Sequence, residues 1–323
     1  MANWADIIGE VVVAEFLEGW KATELDYLGV ARDYSPRVRS QGNTIKTGVL
    51  NLEYDGTDSG SDADNRIQVR DNVPYGEFEY DKVDPGKTEF SMTNRKVVAV
   101  EFDNDLIDSA WVDPVRDTAR AEGAAMRMAF NNNMRTTLRT VADALSGAHA
   151  SQKTKTDMTV DQWNSVDKAT IISYLEDLTR MRKRMELNGG TRLFLVMHPW
   201  VAFKLETFVL KNGDYGSGLL SDNFLRSGSA PIRVGWNILQ DAGLGETNNP
   251  EKPSAGAAAN MYKIYAGAIN ESLFWAQRQI QAFRPIDLRA AKKLGFGIVG
   301  AWRYGSAALQ PDKVYQHSIN FTA

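Results

Sequence analysis

The N-terminal segment of the chain has the apolar periodicity of an amphipathic helix. Apolar side chains recur every four positions and neighbouring ones widen the stripe: Trp4, Ile7, Ile8, Val11, Val12, Phe16 and Trp20. Such a helix gains most of its stability by burying that stripe. The stripe could pack against its own domain or reach another subunit, and the sequence leaves both open.

Residues 42–95 consist of short runs in which apolar and polar residues alternate, and these runs predict exposed strands with few core residues. In their centre, residues 55–65 are rich in Gly, Ser and Asp, which is typical of a wide turn at the tip of a two-stranded loop. Asp58, Asp62 and Asp64 suggest calcium. However, the EF-hand pattern needs Gly at its sixth position and a closing Glu, and both are missing.

A strand over 96–102 precedes the longest helix that the pattern predicts. Asp113 is a candidate N-cap and Pro114 fits the first helical position. Apolar residues then keep helical spacing: Val115, Ala119, Met126, Phe130, Met134, Leu138, Val141 and Leu145. A helix from Pro114 to Leu145 is roughly 50 Å long and would form a spine for the fold.

A polar linker is predicted over 149–157, followed by a second helix with apolar positions from Val166 to Met185 that ends near residues 188–190. The apolar run 192–197 predicts a buried strand, and His198-Pro199 turns into a short helix.

The C-terminal third is predicted to be loop-rich at first and then to return to strands. A strand is expected over 231–236 and a flexible insert over 241–260. Strands follow over 261–266 and 273–275, and one long alternating stretch over 296–315 reads as a further strand.

Composition narrows the class of protein. The chain has 323 residues, 43% of them hydrophobic, and a formal net charge of −4, which does not favour tight duplex binding. The basic run 180–184 lies late in a predicted helix and fits a capping role. Without cysteine there is no disulfide, thiolate metal site or cysteine nucleophile, which fits cytosolic manufacture. We expect no signal peptide and no membrane span.

Motifs for catalysis are weak. Residues 295–300 have the G-x-G-x-x-G form of a dinucleotide-binding turn, but the sequence continues as a strand where that motif needs a helix and a later acidic residue. Only three histidines occur, His149, His198 and His317, in separate elements, and His198 fits a locally bonded turn residue. We therefore predict no catalytic residue, no cofactor and no metal.

Three stretches carry a resemblance to a known family. Residues 97–109 resemble the strand and turn that enter its spine helix, 193–203 resemble a strand and helix leaving the core, and 297–305 resemble a late strand that returns to it. Together with the order of elements, these are similar to the major capsid proteins of tailed bacteriophages with the Hong Kong 97 fold. The resemblance implies an α+β fold without enzymatic activity.

The resemblance also implies a division of the chain. Residues 1–41 would form an N-terminal arm and 42–95 an extended β-hairpin loop. Residues 96–189 would form a peripheral domain with the spine helix and 190–290 an axial domain, while 291–323 would return to the peripheral domain as a C-terminal strand.

The function implied is that of a subunit assembling through hexamers and pentamers into an icosahedral head around double-stranded DNA, which it would not bind sequence-specifically. Scaffold and portal proteins would be partners, with or without a decoration protein, and assembly in the host cytoplasm would yield the virion. We predict that the arm and loop contact neighbouring subunits non-covalently through these residues: Trp4, Phe16, Trp20, Tyr54, Asp58, Asp62, Arg66, Tyr75, Phe78 and Tyr80.

Two alternatives stay open. The same fold could serve as an encapsulin-like cellular compartment that holds an enzyme cargo. The second alternative is a metal-dependent enzyme that uses the acidic loop as its metal site. Such an enzyme would form a discrete small oligomer, whereas a shell protein would form very large particles.

Overall fold

The computed structural model describes residues 4–21, 26–38, 44–49, 53–55, 66–68, 86–103, 114–187, 192–211, 236–244, 261–287, 295–308 and 310–322. The α-helices in these ranges are α1 Trp4–Lys21, α2 Pro114–Ala144, α3 Val160–Ser165, α4 Lys168–Leu187 and α5 Pro199–Lys211. The strands are β1 Arg32–Asp33, β2 Thr44–Val49, β3 Glu53–Asp55, β4 Arg66–Gln68, β5 Gly86–Ser91, β6 Asn94–Asp103, β7 Lys153–Thr159, β8 Leu193–Met197, β9 Asn237–Gln240, β10 Met261–Ala268, β11 Phe274–Asp287, β12 Gly295–Ala307 and β13 Val314–Thr322.

The chain divides into two compact units, each built from separate stretches of sequence. The first unit comprises Met1–Ile45, Glu89–Thr136 and Phe274–Ala307. The second unit comprises Lys46–Thr88, Thr137–Leu273 and Ala308–Ala323. The boundary falls inside α2, so this helix contributes residues to both units.

The first unit contains a sheet in the order β1-β11-β12-β6, in which β11, β12 and β6 are antiparallel and β1 runs parallel to β11. Side chains alternate between its two faces. On one face Ile298 packs with Val12 of α1 and Ala119 of α2. The helices therefore lie on this face.

The second unit contains a mixed sheet in the order β7-β13-β10-β8-β9. All five residues of β8 are buried, as its uninterrupted apolar run predicts. Helix α4 packs on this core through buried residues spaced by three or four: Ile171, Tyr174, Leu178, Met181 and Met185. Thr159 and Gln162 form a capping box at the start of α3.

Two short strand pairs come from the predicted extended loop. β2 pairs with β5, and β3 pairs with β4 in parallel, with Glu53 opposite Arg66 and Tyr54 opposite Ile67. The acidic turn itself, from residue 56 to 65, lies outside the described residues.

Several predicted elements are confirmed. The spine helix runs from Pro114 to Ala144, and its residues Ala119, Met126, Phe130, Met134 and Leu138 are buried. The N-terminal helix, the strand over 94–103 and the buried strand β8 also form where the pattern predicts them. The second helix is confirmed from Lys168 to Leu187, but Val166, its predicted first apolar position, lies before it in the left-handed conformation that ends α3.

The linker predicted over 149–157 is wrong. Residues 147–152 form a 3₁₀ helix and Lys153–Thr159 form β7, which pairs in parallel with β13. The segment reads as polar because it is an edge strand of alternating residues. Thr156 and Met158 point inward from it and are buried, and β-branched Thr favours strand.

The single strand predicted over 296–315 is also wrong. β12 ends at Ala307, Pro311 begins a 3₁₀ turn, and β13 then joins the sheet of the second unit. The two strands belong to different sheets, but both have alternating apolar and polar residues, so the sequence pattern does not separate them. Residues 231–235 of the strand predicted over 231–236 lie outside the described residues, and the observed strand β9 begins at Asn237. Residues 245–260 of the predicted insert also lie outside the described residues.

Candidate assembly surfaces

Helix α1 packs on α2 at a close crossing made by two glycines. A Cβ atom at Gly19 would overlap the backbone carbonyl of Arg120, and a Cβ atom at Gly123 would overlap the carbonyl oxygen of Phe16. Glycine costs a helix about 1 kcal/mol relative to alanine. Its presence in both helices is explained because only hydrogen fits between the two backbones.

The close crossing gives a testable prediction. Gly123→Ala should lower the free energy of unfolding by about 1–3 kcal/mol, because the added methyl group overpacks the crossing and forces α1 away from α2. Urea titration of the purified chain measures the loss.

The control for this substitution is Ala121→Gly at an exposed position of the same helix. It should cost about 0.5–1 kcal/mol through helix propensity alone. We therefore expect alanine to be more stable than glycine at the exposed position 121, and glycine to be more stable than alanine at position 123. A Gly123→Ala variant that is more stable than the natural chain would contradict the close crossing.

Two residues predicted to contact neighbouring subunits lie within the first unit. Phe16 stacks on Trp302, with ring centroids 5.3 Å apart and planes at 3°. Trp20 meets Phe130 edge-on at 5.0 Å. The apolar stripe of α1 therefore packs on its own unit at these positions, and any contact of these side chains with another subunit stays a prediction.

Charged groups fix α1 further. The Arg120 guanidinium donates to Glu15 at 2.5 Å and to Glu18 at 2.7 Å, and its hydrogen bond to Glu15 raises the pKa of Arg120. Arg127 lies over the Trp20 ring at 5.3 Å and pairs with Asp26. Burial lowers the pKa of Arg127, an effect that Asp26 opposes.

The other side of α1 leaves two apolar residues in solvent. Val13 and Leu17, one helical turn apart, are 41% and 48% exposed. The sequence reasoning missed them because it followed the buried stripe. The sequence does contain a sign of them, because Val13 directly follows Val12 and Leu17 directly follows Phe16, two buried members of the stripe.

The other predicted contact residues are placed in part. Trp4 begins α1, Tyr54 lies in β3 and Arg66 lies in β4, and the structure describes only the backbone at these positions. The remaining members of the set lie outside the described residues: Asp58, Asp62, Tyr75, Phe78 and Tyr80. The structure therefore brings together Phe16 and Trp20 and leaves the rest as predictions.

A buried polar cluster lies in the second unit around His317. Thr154 Oγ1 is 2.7 Å from His317 Nδ1, and Thr156 Oγ1 is 3.2 Å from its Nε2 and donates to Asp177 at 2.6 Å. Burial lowers the pKa of His317 to about 4, while Asp177 acts in the opposite direction. His317 is fully buried, so a substrate could not reach its ring.

His198 is a turn residue, as predicted. Its Nδ1 accepts a hydrogen bond from the Trp200 backbone N–H at 3.3 Å, at the start of α5. The imidazole thus supplies a local acceptor for an otherwise unpaired helix N-terminal donor.

In the part of the chain that the structure describes, no three side chains of His, Cys, Asp or Glu are grouped so that they could hold a metal ion. No helix among the described residues is both long enough and apolar enough to span a bilayer.

Comparison with known proteins shows the fold. No protein-family model matches the sequence, and no curated protein does. The capsid of cyanophage P-SCSP1u superposes with a TM-score of 0.63 at 13% identity, covering 92% of this chain and 89% of that chain. The mature capsid of bacteriophage PhiM1 gives 0.59 at 13% identity, covering 92% and 87%. A virus-like particle from Pyrococcus furiosus gives 0.51 at 10% identity, covering 95% and 98%. The chain has the Hong Kong 97-like fold.

The predicted α+β class is thus confirmed, and the stretches that carried the resemblance lie in regular elements of the Hong Kong 97-like fold. Residues 97–103 belong to β6, 193–203 to β8 and the start of α5, and 297–305 to β12. Residues 104–109 lie outside the described residues.

Proposed function

We propose that the chain is the structural subunit of an icosahedral shell, the head of a tailed phage, and that it acts without catalysis. The observation that carries this proposal is the similarity to phage capsid structures over 92% of the chain. In the proposed shell, hexamers and pentamers of this subunit enclose double-stranded DNA without reading its sequence.

In the proposed subunit, residues 1–41 form an arm and 42–95 an extended loop. Residues 96–189, with α2, form the peripheral domain, 190–290 form the axial domain, and 291–323 form the C-terminal strand. The arm and loop reach neighbouring subunits, and the exposed Val13 and Leu17 add apolar area to the arm. Scaffold and portal proteins direct assembly in the host cytoplasm, and a decoration protein is a further candidate partner.

The physical basis of such a shell is the summation of modest contacts. Subunits in a ring make heterologous contacts, in which different surfaces meet, so every copy both offers and receives an arm. Because each copy contacts several neighbours at once, weak individual contacts yield a stable particle. A strand pair that the sequence predicts to be exposed, with little core of its own, suits this role.

Electron microscopy of the purified chain, alone and with a co-expressed candidate scaffold, tests the proposal. We expect very large, regular particles. Boiling in detergent should reduce them to single chains, because closure is non-covalent. Small uniform oligomers with metal-dependent turnover would instead support the enzyme hypothesis.

A cellular compartment is the second candidate. The similarity to the virus-like particle from Pyrococcus furiosus, at a TM-score of 0.51, supports this candidate, because that particle comes from a cellular organism. The contents of particles made in the native host distinguish the two functions, since a phage head holds DNA and a compartment holds protein cargo.

A further inference from the structure

The face of the first unit's sheet that is turned away from the helices carries a row of arginines. Arg278 of β11 lies directly opposite Arg303 of β12, and Arg303 lies directly opposite Arg95 of β6. Directly opposite residues of antiparallel strands project from the same face, with Cβ atoms about 5 Å apart. Three guanidinium groups are therefore aligned across three strands.

The direction of this row follows from its neighbours. Trp302 stacks on Phe16 of α1, and Tyr304 packs on Phe130 of α2, with ring centroids 4.2 Å apart. Arg303 lies between them in β12 and, because side chains alternate along a strand, points away from the helices. Val97, two residues from Arg95 on the same face, is 52% exposed.

Two further arginines extend the basic surface. Arg32 and Arg37 lie over the ring of Tyr34 at 5.5 and 5.2 Å. Tyr34 packs against Phe274, which projects from the same face as Arg278. We call Arg32, Arg37, Arg95, Arg278 and Arg303 together the arginine face.

The charges of the row are not neutralised within the described residues. No described carboxylate forms an ion pair with Arg95, Arg278 or Arg303. Glu101 lies on the same face but six residues along β6 from Arg95, about 20 Å away. Like charges directly opposite in a sheet destabilise it, so the row fits a surface that meets an anion in the assembled protein.

The chain itself contains a matching anion. Residues 53–64 include Glu53, Asp55, Asp58, Asp62 and Asp64 and no Lys or Arg, although the whole chain has a net charge of only −4. Arginine pairs bidentately with carboxylates, which suits an aligned row better than lysine would.

We infer that the arginine face receives the acidic segment 53–64 of a second copy of this chain. The inference rests on the proposed function, since an assembly of identical subunits brings the arginine face of one copy next to the acidic segment of another. It assigns one receiving surface for the loop and makes closure of the shell sensitive to salt, because exposed charge pairs are screened at high ionic strength.

Introduced cysteines test the contact, since the natural chain has none. Ser61→Cys combined with Val97→Cys places one thiol in the acidic segment and one on the arginine face. After mild oxidation of particles, a non-reducing denaturing gel should show ladders of linked chains. The matched control is Ser61→Cys with Lys96→Cys, because Lys96 is adjacent to Val97 but projects from the opposite face; it should show no ladder.

The outcomes separate the inference from the proposed function. Absence of particles from the unmodified chain contradicts the proposed function. Particles that form without a ladder, or a disulfide that closes within one chain, overturn only the inference.

Charge reversal provides the second test. Arg303→Glu should raise the protein concentration needed for half-maximal assembly about tenfold at physiological salt, because in every copy it removes the pairing of Arg303 and adds repulsion of the acidic segment. Asp58→Lys with Asp62→Lys should have a similar effect without altering the sheet, and combining all three should restore part of the assembly. Lys96→Glu is the control.

Arg303→Gln keeps the size of the side chain and covers the case in which Arg303→Glu fails to fold. Unchanged assembly in Arg303→Gln and in the doubly substituted acidic segment would overturn the inference. Normal assembly with less encapsidated nucleic acid would also overturn it, because the anion would then be a phosphate backbone.

Discussion

Phe130→Ala is expected to lower the free energy of unfolding by about 3–5 kcal/mol, because it opens a large cavity in the first unit. Phe130 is 1% exposed. Its ring centroid lies 4.2 Å from that of Tyr304, 5.0 Å from that of Trp20 and 6.4 Å from that of Trp275. The substitution therefore removes contacts to α1, β11 and β12 together, and the proposed assembly into shells should fail with it. Urea unfolding of the unassembled chain measures the effect.

Met128→Ala is the matched control for this prediction. Met128 lies on the same helix, two residues away, and is 57% exposed. Alanine favours helix and an exposed apolar side chain contributes little, so the change should stay within about 0.5 kcal/mol. Similar losses for both variants would show that the aromatic cluster does not stabilise the unit.

Acidification is expected to destabilise the second unit through His317. Burial lowers its pKa to about 4 in the folded protein, whereas in the unfolded chain an imidazole titrates near 6.5. Between these values the unfolded chain binds more protons, so stability is complete above about pH 6.5 and falls as the pH drops towards 4. The total loss from this group is about 3 kcal/mol.

The variant His317→Gln isolates this effect. Urea unfolding at pH 7 and pH 4.5 should show a fall that is about 2–3 kcal/mol larger in the natural chain than in the variant, which cannot be protonated there. His149→Gln, at a partly exposed position of the same unit, should keep the natural pH dependence. Equal pH dependence of His317→Gln and the natural chain would show that His317 is not buried in its neutral form.

Local patterns were sufficient where an element buries its own periodic residues. In α2, the spacing of Met126, Phe130, Met134 and Leu138 predicts a helix because a 3.6-residue repeat places them on one side, and that side is the buried one. The continuous apolar run of β8 similarly predicts a strand buried on both faces.

Local patterns failed where a long-range partner decides the structure. In the sequence, Lys153–Thr159 looks like a polar loop. It forms a strand because β13, more than 150 residues later, pairs with it, and because the buried Thr156 hydroxyl has hydrogen-bond partners in His317 and Asp177. The crossing at Gly19 and Gly123 has no sequence signal either, since isolated glycines in a helix pattern look only like weak positions.

The sequence by itself determined the order of the main elements, because amphipathic periodicity is a local property of the chain. Through its resemblance to a known family, the sequence also indicated the Hong Kong 97-like fold. The tertiary structure alone decided that the apolar stripe of α1 packs on its own unit at Phe16 and Trp20, and which residues meet across the sheets. Arg95, Arg278 and Arg303 are distant in sequence and become one row only through strand register. Register is fixed by the packing of the whole unit, so no local pattern contains it.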